Sequence, residues 1–172
     1  RWASILLGLL LSLSGLSLSS AALSSPRIVL ADSQPRILLN KRVAREVDVS
    51  NYLEVMEDRS GHLTLDDVMA DVSGFRRNMG SGIQTGLGEN VYWVRGKISR
   101  SLTDPSGAAE WLLLVAHPQV TEAQLFVPGE SDLALAVAGL SVPRDRRIFL
   151  DRMPVFPLNI SQDTTLSFYL RI

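Results

Sequence analysis

An all-β sandwich with one short helix is the fold class this sequence predicts, and three observations carry that prediction. Residues 91–127 divide into three strand-like runs separated by turn residues. The final run, TLSFYLRI, alternates apolar and polar residues at the period of a strand with one buried face. Elsewhere Gly, Pro, Ser, Asp and Asn punctuate the chain every few residues, and only residues 64–70 carry a clear helix start.

In chain order, residues 1–22 (RWASILLGLLLSLSGLSLSSAA) have one positive charge, an apolar serine-laced run and small residues at the end. This is the layout of a secretory signal peptide cleaved after Ala22, and its apolar run falls short of the roughly 20 residues a membrane span needs. The chain therefore divides into a leader, 1–22, and one domain, 23–172, long enough to bury a core. Only Arg1 among the charged residues lies in the leader, so 17 basic against 18 acidic residues becomes 16 against 18, a net charge of −2. Such a balance attracts neither nucleic acid nor an anionic membrane. The absence of cysteine in an exported chain fits a bacterial periplasm, where the core and hydrogen bonds supply the stability.

The domain opens with β-rich pieces at 27–30, 36–39 and 43–49. Thr64 followed by Asp67 predicts a capping box and a helix over 65–70. The glycine-rich stretch 74–88 lacks the fixed spacing and lysine of a phosphate loop and reads as a connection. Strands follow at 91–101, 110–117 and 120–127, with a turn at 104–107 and a corner at His117-Pro118. The second of these, apolar on both sides, is expected to be the central strand covered on both faces. Further strands are expected at 132–140, 148–150 and 165–172, with a charged turn at 143–147, and the proline-interrupted 153–160 belongs at a sheet edge.

Catalytic readings find little support. The two histidines, His62 and His117, sit in a turn and at a strand end, and no nucleophile is placed beside either. Glu54, Glu57, Asp58 and the pair Asp66-Asp67 read as strand-edge and capping carboxylates, since adjacent residues do not face each other across a cleft. Zinc would want clustered Cys or His, and a calcium site at Asp145 and Asp151 reduces to solvated loop carboxylates. The prediction is a non-enzymatic protein with no cofactor and no metal.

The informative constellation is the second face of the strands. Period-two alternation puts Trp93, Arg95 and Lys97, then Gln124 and Phe126, then Tyr169 and Arg171 opposite the buried rows. Rings among hydrogen-bond donors suit a small polar ligand such as a sugar. The competing reading packs Trp93 and Phe126 under loops and leaves the arginines to water.

The runs NYLEVMEDRSGHLTLDDV (51–68), GLGENVYWVRGKIS (86–99), EWLLLVAHPQVTEAQLFVP (110–128), FPLNI and TLSFYLRI, in that order, resemble the type-two extracellular sensory domain of bacterial seven-transmembrane receptors with diverse intracellular signalling modules. The resemblance implies a jelly-roll-like β-sandwich similar to carbohydrate-binding modules, on the periplasmic side of the inner membrane. It implies a fragment of a longer receptor, preceding membrane helices and a histidine kinase or diguanylate cyclase output, with a carbohydrate or other small molecule as ligand. Trp93 and Arg95 occupy the family's Trp-x-Arg positions. Arg100 stands where asparagine often closes that strand, and Gly96 where a bulky apolar residue is common. The expected partners are thus a small-molecule or carbohydrate ligand and the membrane, with a homodimer as a further option. The alternative function is a periplasmic protein-interaction or dimerisation module using the same face.

Overall fold

The computed structural model of the chain describes residues 34–40, 46–83, 90–100, 109–129, 135–161 and 164–172. The expected leader 1–22, the strand at 27–30 and the turn at 104–107 lie outside them. The described residues form nine strands and one α-helix: β1 Arg36–Leu39, β2 Glu54–Asp58, α1 Leu65–Ala70, β3 Arg76–Arg77, β4 Val91–Arg100, β5 Ala109–Leu114, β6 Ala123–Phe126, β7 Ala136–Ala138, β8 Val155–Ile160 and β9 Thr165–Arg171.

Seven strands make one sheet in the order β3-β2-β4-β9-β6-β7, with β1 joined to β4; β5 and β8 make a second sheet of two. All pairs are antiparallel except β1 with β4, where Arg36 stands opposite Lys97. Along one edge of β4, β2 takes residues 91–95 and β1 takes 97–100, so a ten-residue strand serves two shorter ones. The other edge pairs with β9 from Trp93↔Arg171 to Ser99↔Thr165.

The central strand is therefore β4, correcting the expectation for 110–117. Every residue of β4 except Val91 and Lys97 is buried, whereas Leu112 and Leu114 of β5 are 53% and 42% exposed. Apolar content misled here because β5 has one inward face, through Leu113, and pairs only with β8 among the described residues. Neighbours meet part of the hydrogen-bonding demand that the buried polar residues of β4 carry. Ser99 Oγ lies 2.8 Å from Thr165 Oγ1, and Arg100 Nη1 donates to the Ile160 carbonyl at 3.4 Å.

The two layers meet over a continuous apolar core. Val94, Ile98, Leu125, Phe168 and Leu170 come from the large sheet, and Leu113, Phe156, Leu158 and Ile160 from the small one. Gly96 belongs to this packing. A Cβ there would sit 2.7 Å from both Leu53 Cδ2 and the Phe168 ring, so the volume a side chain would occupy is already filled by two neighbours.

The remaining elements follow the sequence with some trimming. Helix α1 spans the expected residues and has a complete capping box: Asp67 N–H donates to Thr64 Oγ1, and Thr64 N–H donates to Asp67 Oδ2 at 2.8 Å. The 132–140 strand is limited to Ala136–Ala138 among the described residues, and the charged turn forms a 3-10 turn at Arg144–Arg146. Pro157 lies in β8, whose only partner among the described residues is β5, in keeping with an edge position. Two expected strands are corrected. Residues 46–49 carry no strand, and neither do 148–150, where Ile148 and Leu150 are 54% and 77% exposed and have no ladder to join.

Candidate functional site

Cross-strand register brings all seven singled-out residues onto one face of the large sheet. Trp93 of β4 faces Arg171 of β9, which faces Gln124 of β6. One rung along, Arg95 faces Tyr169, which faces Phe126, and next Lys97 faces Ser167. Directly opposed residues project to the same side of a sheet, so three rows from three strands form one patch.

Burial then divides the patch. Trp93 is 1% exposed and Phe126 7%, their ring centroids 5.3 Å apart, in a second core with Met56, Leu65, Val68 and Phe75. Leu65 and Val68 come from α1, so the 59–75 segment lies over this part of the sheet as a cover. The indole Nε1 of Trp93 is buried and has no hydrogen-bond partner. Arg95 is also buried, at 9%, which corrects the idea that the arginines face water. Its Nε donates to Glu54 Oε2 at 2.7 Å, and its guanidinium carbon lies 4.0 Å from the centre of the Phe75 ring. The same Glu54 oxygen accepts from Gln34 Nε2 at 2.9 Å.

The other four residues are half-buried and form the rim. Tyr169 meets Phe75 edge to face at 6.2 Å, Arg171 Nη2 donates to the Gly61 carbonyl at 2.8 Å, and Gln124 Nε2 donates to Glu122 Oε1 at 2.6 Å. Lys97 lies on the side of β1, opposite Arg36.

Asp58 anchors the start of the cover. It is 2% exposed; Oδ1 accepts from Ser60 N, Ser60 Oγ and Gly61 N at 3.0, 2.7 and 2.8 Å, and Oδ2 from Leu63 N at 3.0 Å. Burial alone would push this carboxyl up. The hydrogen bonds from the Ser60 hydroxyl and the Leu63, Gly61 and Ser60 amides outweigh it and hold the group below the usual carboxylate range. A loop nailed to one carboxylate keeps Gly61 in place to receive Arg171.

Sequence reasoning missed Phe75 and Glu54 as members of this site. Phe75 is the lone aromatic between residues 64 and 90, a usable signal that the glycine-rich stretch docks rather than floats. Glu54 was weighed only as a candidate acid; its pairing with Arg95 depends on β2 lying beside β4, which no local pattern states. His62 and His117 are exposed, as are Asp66 and Asp145. Asp151 is exposed too and accepts from Met153 N at 3.0 Å. The structure brings none of these into the patch.

Chemically, this is an aromatic floor under a cover, rimmed by an ammonium, a guanidinium, a phenol and an amide. Among the described residues no helix is long and apolar enough to cross a membrane. The sequence model of the family described as 7TMR-DISM extracellular 2 matches residues 50–172, from the turn before β2 to the last residue of the chain. No curated protein matches the sequence.

Proposed function

The chain belongs to the 7TMR-DISM extracellular 2 family, the extracellular sensory domains of seven-transmembrane receptors, and on that premise we propose that it is the periplasmic ligand-sensing input of a bacterial signalling receptor. The observation that carries this reading is the extent of the match, which covers eight of the nine strands and the whole patch on β4, β9 and β6. The receptor is exported through a leader at 1–22, anchored by membrane helices, and drives a histidine kinase or diguanylate cyclase. The domain itself performs no chemistry. Its two-layer β architecture supports a jelly-roll-like fold of the carbohydrate-binding kind.

The ligand is a carbohydrate or a similar small polar solute. It meets Lys97, Gln124, Tyr169 and Arg171 at the rim, with Trp93, Arg95 and Phe126 beneath. The buried indole N–H of Trp93 lacks an acceptor, and a hydroxyl reaching it as the 59–75 cover moves would satisfy it. That difference between covered and opened states is the free energy a receptor can transmit.

Calorimetric titration of the purified chain with a panel of neutral mono- and oligosaccharides tests the reading. Saturable binding by one of them, weakened about tenfold or more in Lys97→Ala/Gln124→Ala at unchanged melting temperature, is the expected result. Binding untouched by that pair removes the patch as the site. A second reading, a protein-interaction module, draws on a different surface: Leu112 and Leu114 are exposed on the outer face of β5, opposite Pro157 and Val155 of β8. Dimerisation abolished by Leu112→Ser with no saccharide bound favours it.

A further inference from the structure

At the far end of the large sheet, where β3 and β2 form its margin, lies a groove of about 640 Å3 whose lining includes none of the seven patch residues. Its lining includes Arg59, Arg76, Arg77, Glu57, Tyr92 and Met79. The volume is in the range of small-molecule pockets. What distinguishes the groove is its composition: three arginines line one concavity with a single glutamate.

That carboxylate is already occupied. Glu57 Oε1 accepts from Asn90 Nδ2 at 2.8 Å, and Oε2 pairs with Arg59 Nε at 3.4 Å. Arg59 is highly exposed, so the pair is loose and screened. Asp71, beside lining residue Gly74, is turned to its own loop, accepting from the Ser73 hydroxyl at 2.8 Å and the Gly74 amide at 3.0 Å. Among the described residues neither Arg76 nor Arg77 forms an ion pair; Arg77 Nε donates only a long bond, 3.4 Å, to the Asn51 carbonyl. Both are exposed.

Arg76 and Arg77 are adjacent in the marginal strand β3, so their side chains leave the two faces of the sheet at its edge, beside the groove they both line. Guanidinium groups favour planar oxyanions through paired, charge-assisted hydrogen bonds, and a concave low-dielectric wall concentrates their field.

We propose that this groove binds a small organic solute carrying at least two anionic charges, as carboxylates or as a phosphate monoester, through Arg76 and Arg77 with Arg59 closing over it. The site does not depend on the sensing face: its residues are different and its ligand is charged.

The test is calorimetric titration of the purified chain with citrate, glucose 6-phosphate and glucose at low salt. At least one anion is expected to saturate the protein, to weaken as sodium chloride rises, and to weaken at least about tenfold in Arg76→Gln/Arg77→Gln. The stronger of citrate and glucose 6-phosphate identifies carboxylate or phosphate as the natural group. The two arginines are exposed, so the variant is expected to melt with the parent; Arg59→Gln provides an independent variant and is expected to weaken the same anion. Loss of equal size in Arg144→Gln/Arg146→Gln, an exposed pair in the 3-10 turn, would mean diffuse attraction and overturn the site. So would glucose binding as tightly as the anions, or no saturation by either anion. None of these outcomes bears on neutral saccharides at the Lys97 and Gln124 rim, so the two readings fail separately.

Discussion

The two faces of the seven-stranded sheet are buried by different means. One face meets the β5–β8 layer mainly through aliphatic and aromatic side chains, Val94, Ile98, Leu125, Phe168 and Leu170 against Leu113, Phe156, Leu158 and Ile160, with Arg100 reaching the Ile160 carbonyl at the end of β4. The other meets a six-residue helix and its flanking loops, and mixes Trp93 and Phe126 with the buried Arg95–Glu54 pair. The first is a packing problem with one solution. The second includes a buried donor without an acceptor, a guanidinium over a ring and a loop tied down through Asp58. A sensory domain needs a face that keeps its shape and a face that can change it.

The largest expected effect tests the rigid face. Phe168 has no exposure and presses on Gly96, so Phe168→Ala leaves a cavity that a two-layer core cannot close, costing about 3–5 kcal/mol in urea unfolding. Phe126→Ala should cost less, about 2–3 kcal/mol, because the helix and loops above it can settle inward. Equal losses would erase the contrast between the faces. Gly96→Ala sharpens it: the new methyl group would stand 2.7 Å from the Phe168 ring, for about 1–3 kcal/mol of overpacking, and adding Phe168→Leu should recover part of that rather than sum with it.

How much of this was legible in the sequence follows from the range of the forces. Alternation in 91–100, 123–126 and 165–171 put the seven patch residues on one face, because a strand's period fixes the side of every residue once one is known. The capping box at Thr64 and Asp67 is equally local, and α1 begins and ends where it was expected. Which strand is central was not legible. Leu112 and Leu114 look more buried than Arg95 and Arg100, yet exposure runs the other way: Glu54, 41 residues away, pairs with Arg95, and the Ile160 carbonyl, 60 residues away, accepts from Arg100. Burial of Trp93 and Phe126 under loops was one of the two readings the sequence left open, and it is the one the structure takes. The face was readable, but the cover over it is a tertiary contact made by Phe75, Leu65 and Val68.

The next prediction concerns how the cover is fastened. Asp58→Asn removes the charge that four donors share and leaves a single acceptor oxygen, so about 1–3 kcal/mol should be lost near neutral pH. The carboxyl titrates lower in the folded chain than in the unfolded one, so its contribution is complete above the unfolded pKa, about 4, and is lost as pH falls through the folded value. The stability gap between parent and variant should therefore narrow as pH drops from about 5 toward 2. A gap that stays constant across that window would show that the Ser60–Leu63 loop is held by its own backbone.

The smallest expected effect is also the most local. Thr64→Ala removes the hydroxyl that accepts from Asp67 N and donates to Asp67 Oδ2 at 2.6 Å, while the Thr64 amide can still reach that carboxylate. Loss of a cap of this kind costs about 1 kcal/mol, and a helix of six residues has little propensity of its own to absorb it. The cost should fall on the cover and not on the sandwich. Amide hydrogen exchange in α1 should speed up about fivefold, while the amides of β4 and β9, locked in the central ladder, keep their protection. If β4 loses protection in step with α1, the cover and the sheet unfold as one unit, and the second face is no more able to move than the first.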